Sequence, residues 1–292
     1  HPQLWDGRRD PTRLPDRERY QLLQAVQGFS ATRHAVSLGI SCEACHLGSS
    51  EHAANPEIKP RFFPAAPELF VENEGTEVDY GRTHRNVNWA CGRCHAGTRP
   101  EFAGGYATWN SIEFTDAQRG SCYSQLRCID CHDPHTAIGQ RWTRTPAQDE
   151  QVCLGCHQQF RDKTALVAHT HHARQSEGSR CLNCHMPRIN EGLQDVVRTH
   201  AIHSPTKPEL IEANHPNACN LCHPDRSIDW SLGRLTEWYG SSFSETRLQR
   251  NYPHRDGPVG TGWLASSHES VRLVALDALA RNGSTWALDR ML

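Results

Sequence analysis

Cys181-Leu182-Asn183-Cys184-His185 is one of six stretches in this chain with a single pattern: two cysteines three positions apart, then histidine. The first is Cys42 and Cys45 with His46, and the second is Cys91 and Cys94 with His95. Cys128 and Cys131 with His132, Cys153 and Cys156 with His157, and Cys219 and Cys222 with His223 are the rest. This spacing is the attachment signature of c-type haem. Two thiols so separated add across the two vinyl groups of one porphyrin, and the adjacent histidine falls under the iron as proximal ligand. Twelve of the thirteen cysteines are used this way. Zinc sites also use Cys-x-x-Cys pairs, but they combine two pairs per metal and need no histidine after each. With 19 histidines in 292 residues, chance placement after all six pairs has odds of about 10⁻⁷. Six covalently bound haems c are therefore expected, and they decide the fold.

The hydrophobic fraction is 37 %, with 21 glycines and 17 prolines, a poor recipe for a large core made of side chains alone. The span from Cys42 to His223 offers about 30 residues per motif, too few for separate globin-like pockets. The expected fold is mainly α and irregular: a multihaem cytochrome c scaffold with little or no sheet, in which haems pack on one another, followed by a C-terminal helical hairpin.

Formal net charge is −2, so no basic footprint for nucleic acid exists. Haem propionates add negative charge, and Arg93, Arg127, Arg180 and Arg188, all near motifs, are candidate partners through bidentate hydrogen bonding. No stretch reaches the roughly 18 apolar residues that span a membrane. Covalent haem is attached outside the cytoplasm, and the chain starts at His1 rather than Met. An exported product, periplasmic or extracellular, is expected.

Three regions follow from the pattern. Residues 1–33 are a polar lead-in with a helix expected near Asp16–Phe29, Asp16 as its cap, and Leu22, Leu23 and Val26 on one face. Residues 34–226 form the hexahaem domain. Its first cysteines are separated by 49, 37, 25, 28 and 38 positions, a loose array rather than a strict repeat. The stretch Pro56–Pro67 reads as extended loop, and Cys153–His169 as helix. Residues 227–292 are helical and HEAT-like. Ser266 to Glu269 has the form of a capping box, Val271, Val274, Ala275, Ala278 and Leu279 fall at helical spacing, and Asn282-Gly283 signals the end. One such unit cannot bury its own face. Either the natural chain is longer, or the face packs on the haem domain or on a partner.

Each haem iron has a sixth site. A second histidine there makes a low-spin electron carrier, whereas an open site permits substrate chemistry. Candidate distal ligands are His34, His52, His84, His135, His171, His172 and His200, each a short loop away from a motif. His135 follows His132 across Asp133-Pro134, where proline stiffens the turn. His169, His203 and His215 rank behind them, and His1, His254 and His268 read as surface residues.

The run Ser179-Arg-Cys181-Leu-Asn-Cys184-His185-Met186-Pro187, with His171-His172 before it and Arg198-Thr199-His200 after it, resembles the cytochrome c-554, pentahaem nitrite reductase and hydroxylamine oxidoreductase superfamily. The segments around Cys42 and Cys45, Cys131 to His135 and Pro216 to His223 resemble exported multihaem cytochromes that often continue into HEAT or tetratricopeptide repeats. The resemblance covers roughly residues 34–226 plus the tail. It implies distal roles for the His171/His172 pair and for His200, and stacked and perpendicular haem pairs in near contact. One departure matters. Those nitrite reductases place lysine, not histidine, at the catalytic motif, and no such motif exists here. Ammonia-forming nitrite reduction of that type is therefore not implied. The hydroxylamine oxidoreductases crosslink a tyrosine to a catalytic haem, and Tyr106, Tyr123 and Tyr239 are the tyrosines considered for it.

Cys122 is left over. A buried free thiol, a reactive group beside an open haem and an intermolecular disulfide are its three readings. Two functions compete. The first is electron transfer through six mostly bis-His haems, with redox partner proteins at the ends and, as a variant, other copies or other cytochromes joined in a larger or filamentous assembly. The second is an oxidoreductase acting on a small nitrogen or sulfur compound at one open haem. Electron transfer is preferred, because it is the cofactor's own chemistry.

Overall fold

The computed structural model describes residues 15–27, 40–64, 75–135, 144–193 and 195–283. They are mainly helical, with one small antiparallel sheet. Contact density divides the chain into two units, His1–Val71 and Glu72–Leu292. The first holds one motif, and the second holds the other five.

In the first unit, α1 (Asp16–Gln27) begins at Asp16, which is its first helical residue rather than its cap and pairs with Arg19. Phe29 lies outside the described residues. The first motif forms α2 (Cys42–His46), which ends on Leu47 in the left-handed region at φ 53°. The short α3 (Ser50–Ala54) follows. Glu43 ties them: its carboxylate accepts from the Ser49 amide at 2.9 Å and the Ser49 hydroxyl at 3.0 Å, and those bonds hold its pKa below the usual carboxylate value. Residues 56–64 are turns and extended chain, as the prolines require.

Cys42, Cys45 and His46 belong to the first unit, not to the unit that holds the other five motifs. Glu43 bonds to Ser49, and His46 Nδ1 to the Arg61 carbonyl, two contacts within this stretch of chain. Cys42 is exposed and Cys45 half-buried on α2.

In the second unit each motif is a short helix or a helix end. These are α4 (His84–Gly92), α6 (Cys128–Cys131), α7 (Pro146–Cys156), α9 (Cys181–His185) and α11 (Ala218–Cys222), with α5 (Glu113–Ala117) packed on α4. Local chemistry starts them. Thr83 caps α4 through the Asn86 amide. Thr145 and Gln148 form a capping box on α7, with Pro146 at the first helical position. The helix expected over Cys153–His169 is broken. It ends at Cys156, a single 3₁₀ turn spans Gln158–Arg161, and α8 (Lys163–Thr170) starts afresh because Asp162 caps the Ala165 amide.

After the Cys181 motif the chain forms β1 (Arg188–Glu191) and β2 (Val196–Arg198), paired Arg188 to Arg198 and Glu191 to Val196, with an irregularity between Arg188 and Asn190. The helices α10 (Pro208–Glu212), α12 (Ile228–Tyr239), α13 (Glu245–Asn251), α14 (Val259–Leu264) and α15 (Glu269–Arg281) complete the unit. Ser227 caps α12, and Gly240 closes it at φ 65°, a conformation that suits glycine.

The core lies here. Ile189, Ile211, Ile228, Trp263, Val271 and Val274 are all at most 1 % exposed. The apolar face of α15 is thus covered within its own unit, by β1, β2, α11 and α14. Asn282 ends α15 and donates its side-chain amide to the Leu221 carbonyl at 2.8 Å, tying the helix to the last motif. The following Gly283 takes the left-handed conformation at φ 59°. The expected Ser266–Glu269 capping box does not form. The Ser266 hydroxyl accepts from the His268 amide instead, and α15 starts without a side-chain cap. The second helix expected after Ser284 lies outside the described residues.

Candidate haem-binding sites

One helical turn explains the motif. Residues i, i+3 and i+4 share a helix face, so both thiols and the imidazole project together. In the first motif these are Cys42, Cys45 and His46, all on α2. The turn is closed by the histidine amide donating to the first cysteine carbonyl, at 2.9 Å for His95, His157 and His223 and 3.0 Å for His132. The cysteines are thiols rather than disulfides, so both members of each pair are in the form that adds to a vinyl group.

Successive motif helices touch in order along the second unit: α4 with α6, α6 with α7, α7 with α9, and α9 with α11. The Cys91 and Cys128 thiols lie near enough to shift each other's pKa, as do those of Cys153 and Cys181, so neighbouring attachment points adjoin. Burial pushes the Cys184 thiol up to about 11 and the Cys219 thiol up to about 12.

Three motif histidines each face a second histidine. The ring centres are 6.2 Å apart for His132 and His200, 6.1 Å for His185 and His169, and 6.2 Å for His223 and His172. The ring planes are inclined by 21°, 3° and 23°. A direct ring stack is closer, as between His171 and Trp238 at 4.4 Å. A metal bound by two imidazoles needs roughly 2.0 Å to each nitrogen and about 1.1 Å from nitrogen to ring centre, which gives roughly 6.2 Å. Burial pushes the pKa of His132, His169, His200 and His223 down. Neutral imidazole is the form that ligates a metal.

The far nitrogens are anchored. His185 Nδ1 donates to the His203 carbonyl at 2.8 Å, His172 Nδ1 to the Thr170 carbonyl at 2.5 Å, and His46 Nδ1 to the Arg61 carbonyl at 3.3 Å. A donor bond at one ring nitrogen fixes the tautomer and leaves the other nitrogen for a metal. His52 is held the same way, by the Ile58 carbonyl at 2.7 Å.

The other candidates are placed differently. His171 caps α8 in the left-handed region at φ 53° and stacks on Trp238 at 4.4 Å. His84 Nε2 lies 3.1 Å from the Leu126 carbonyl. His135 sits in the turn after Asp133, which accepts its amide at 3.0 Å. His34 lies outside the described residues. His215 Nδ1 accepts from the Ala103 amide at 2.9 Å, which leaves the proton of the neutral ring on Nε2.

Sequence reasoning ranked His169 below His171. His169 lies on the last turn of α8 and His172 two residues beyond its end, an arrangement that spacing alone does not reveal. Sequence reasoning also did not find the supports. Asp116, 2 % exposed, accepts from the Thr199 hydroxyl at 2.7 Å and from the His200 and Ala201 amides at 2.6 and 3.0 Å. It thereby fixes the loop that carries His200. Arg198 donates to the Leu182 and Met186 carbonyls at 2.7 and 3.0 Å, closing the end of α9. Glu113 accepts from His95 Nδ1 at 2.7 Å.

The family described as a doubled CXXCH motif matches residues 122–162, which hold the third and fourth motifs. The chain is c-type cytochrome-like. Covalent haem c through paired motifs and electron transfer are its general chemistry. A comparison with curated proteins and one with solved structures found no match. No described helix is long and apolar enough to cross a membrane.

The residues present fit haem. Besides the three histidine gaps, Arg93, inside the second motif, has Nε and Nη2 buried without a hydrogen-bond partner. Arg180 Nε beside the fifth is likewise without one, while its Nη1 pairs with Glu150 at 3.5 Å. Buried guanidinium nitrogens of this kind call for acceptors such as carboxylates, and a porphyrin brings two. Arg127 and Arg188 are occupied within the protein, by Asp130 at 2.8 Å and the Val196 carbonyl at 3.0 Å.

Proposed function

We propose that the chain conducts electrons through six covalently bound haems c, mostly bis-His ligated, packed in a continuous array. The observation that carries this reading is the set of three histidine pairs 6.1–6.2 Å apart, each joining a motif histidine to one from elsewhere. The unbroken succession of motif helices from α4 to α11 supports it. In this reading residues 34–226 supply all six haem sites, including the one at Cys42 and Cys45, with 1–33 a lead-in and 227–292 a helical segment.

Bound haem supplies a one-electron ferric/ferrous couple. The rest is done by the protein. His46, His95, His132, His157, His185 and His223 ligate from the motif side. His200, His169 and His172 close the opposite side of the third, fifth and sixth sites. The remaining distal positions draw on His34, His52, His84, His135 and His171. Carbonyl acceptors hold the outer ring protons of His46, His52, His172 and His185, so electron transfer needs no proton movement at those ligands. Arg93 and Arg180 meet propionate charge. His169 on α8 and His172, two residues past its end, face two successive motif histidines, His185 and His223. Redox proteins, including other copies or other cytochromes, exchange electrons at the ends of the array in an exported setting.

The test is a haem count. The protein is produced with a c-type maturation system and measured by haemochrome absorbance per chain and by intact mass. Six covalent haems are expected, and five or fewer contradict the proposal.

A further inference from the structure

The motif histidines do not share one kind of support. His46 and His185 donate their Nδ1 protons to neutral backbone carbonyls, of Arg61 and His203. His95 donates instead to a carboxylate, Glu113 Oε2, at 2.7 Å. That carboxylate is held from several directions. Its other oxygen accepts from the Ser111 amide at 2.9 Å. Ser111 adopts φ 69°, a left-handed conformation that a non-glycine residue takes at a cost, and this turns its amide toward Glu113. The Phe114 amide donates to the His95 carbonyl at 2.9 Å, and the Gly97 amide to the Thr115 hydroxyl at 3.2 Å. The start of α5 is thus bound to the end of the second motif by three separate contacts.

From this arrangement we infer that Glu113 is a positioning and tuning residue, which makes His95 the most electron-donating of these three proximal ligands and sets the haem of Cys91 and Cys94 at a lower reduction potential than those of His46 and His185. The inference rests on the six-haem reading. An anion at the outer nitrogen gives imidazole partial imidazolate character. The stronger donor stabilises ferric iron over ferrous. The couple is a single electron, delivered by a reduced neighbouring haem or, in a titration, by a chemical reductant, with no bond made or broken. Because α4 touches α6, an electron leaving this site has the third motif as its neighbour.

The experiment compares wild-type holoprotein with Glu113→Gln and Glu113→Ala in a spectroelectrochemical titration, alongside mass mapping of the Cys91–His95 peptide. The isosteric Gln keeps an acceptor for the Ser111 amide, and unchanged low-spin EPR at the other haems confirms the fold. In both variants one haem-equivalent should move upward by at least tenfold in its reduction equilibrium, about 59 mV for one electron. An unmoved or downward-shifted equivalent, with the peptide carrying haem, overturns this inference alone. A Cys91–His95 peptide without haem overturns the six-haem reading as well.

Discussion

Residues 113–188 and residues 189–279 of the second unit are built on different principles. The first stretch carries three motifs and, among its described residues, only Pro187 as a buried apolar side chain. Its helices α7, α8 and α9 contain partly buried residues but no fully buried one. The second stretch contains one motif and most of the apolar core, with Ile189, Ile228, Trp263, Val271, Val274, Ala275 and Ala278 fully buried. Burial of a Val, Leu or Ile contributes roughly 1.5–3 kcal/mol. The second stretch therefore has its own hydrophobic support, whereas the first has hydrogen bonds and caps but little apolar filling. Helices of three turns or fewer with no fully buried residue are marginal in water, and a bound porphyrin would supply apolar surface to them.

The largest expected effect breaks the two stretches apart. Protein produced without haem attachment should exchange amide hydrogens rapidly across 144–188 while α12, α14 and α15 remain protected. Equal protection in both would refute the division. Next comes the core itself. Trp263→Ala should lower stability by about 3–5 kcal/mol in chemical denaturation while leaving the oxidised haem spectrum unchanged, since Trp263 is 0 % exposed within the apolar cluster.

A ligand substitution acts on the other side of the comparison. His200→Ala should convert one haem-equivalent to high-spin, visible in EPR, with little loss of stability. An unchanged spectrum would remove His200 as the partner of His132. Asp116→Ala, which releases the His200 loop from three hydrogen bonds, should give the same signal at lower yield.

The smallest effect is on pH dependence. Burial and the neighbouring His268 lower His215 from 6.5 to about 4. The folded state then holds His215 neutral where the unfolded chain would protonate it. Its contribution is full above pH 6.5 and is lost as pH falls toward about 4. His215→Gln should flatten that part of the acid-stability profile, and an unaltered profile would show that His215 is not its source.

The motifs, the proximal histidines and the α15 face were legible in the sequence because each is a local pattern: a fixed spacing on one turn, or a 3.6-residue period. Packing of that face on the haem domain was one of the alternatives the sequence offered, but which elements cover it was not legible, since β1, β2 and α11 come from elsewhere in the chain. Nor was the assignment of Cys42, Cys45 and His46 to the first unit, because all six motifs read alike and only their contacts separate them. The distal partners were legible only as a pool. His200 and His172 stood in it by their nearness to a motif, whereas placing His169 rather than His171 opposite His185 depends on the chain leaving α8 at Thr170. His171 then turns left-handed onto Trp238, a residue 67 positions away in the numbering. Asp116 and Glu113 escaped notice for the same reason. Lone carboxylates in a polar loop carry no periodic signal, and their roles appear only when α5 is folded against α4 and the His200 loop.

The most direct measurement is low-temperature EPR of the fully oxidised holoprotein, quantified against iron, before and after addition of cyanide. Near-parallel imidazole planes at His132/His200, His185/His169 and His223/His172 predict at least three haem-equivalents of rhombic low-spin signal that cyanide leaves unchanged. Fewer than three such equivalents, with high-spin or cyanide-binding iron in their place, would contradict the histidine pairing on which the account rests.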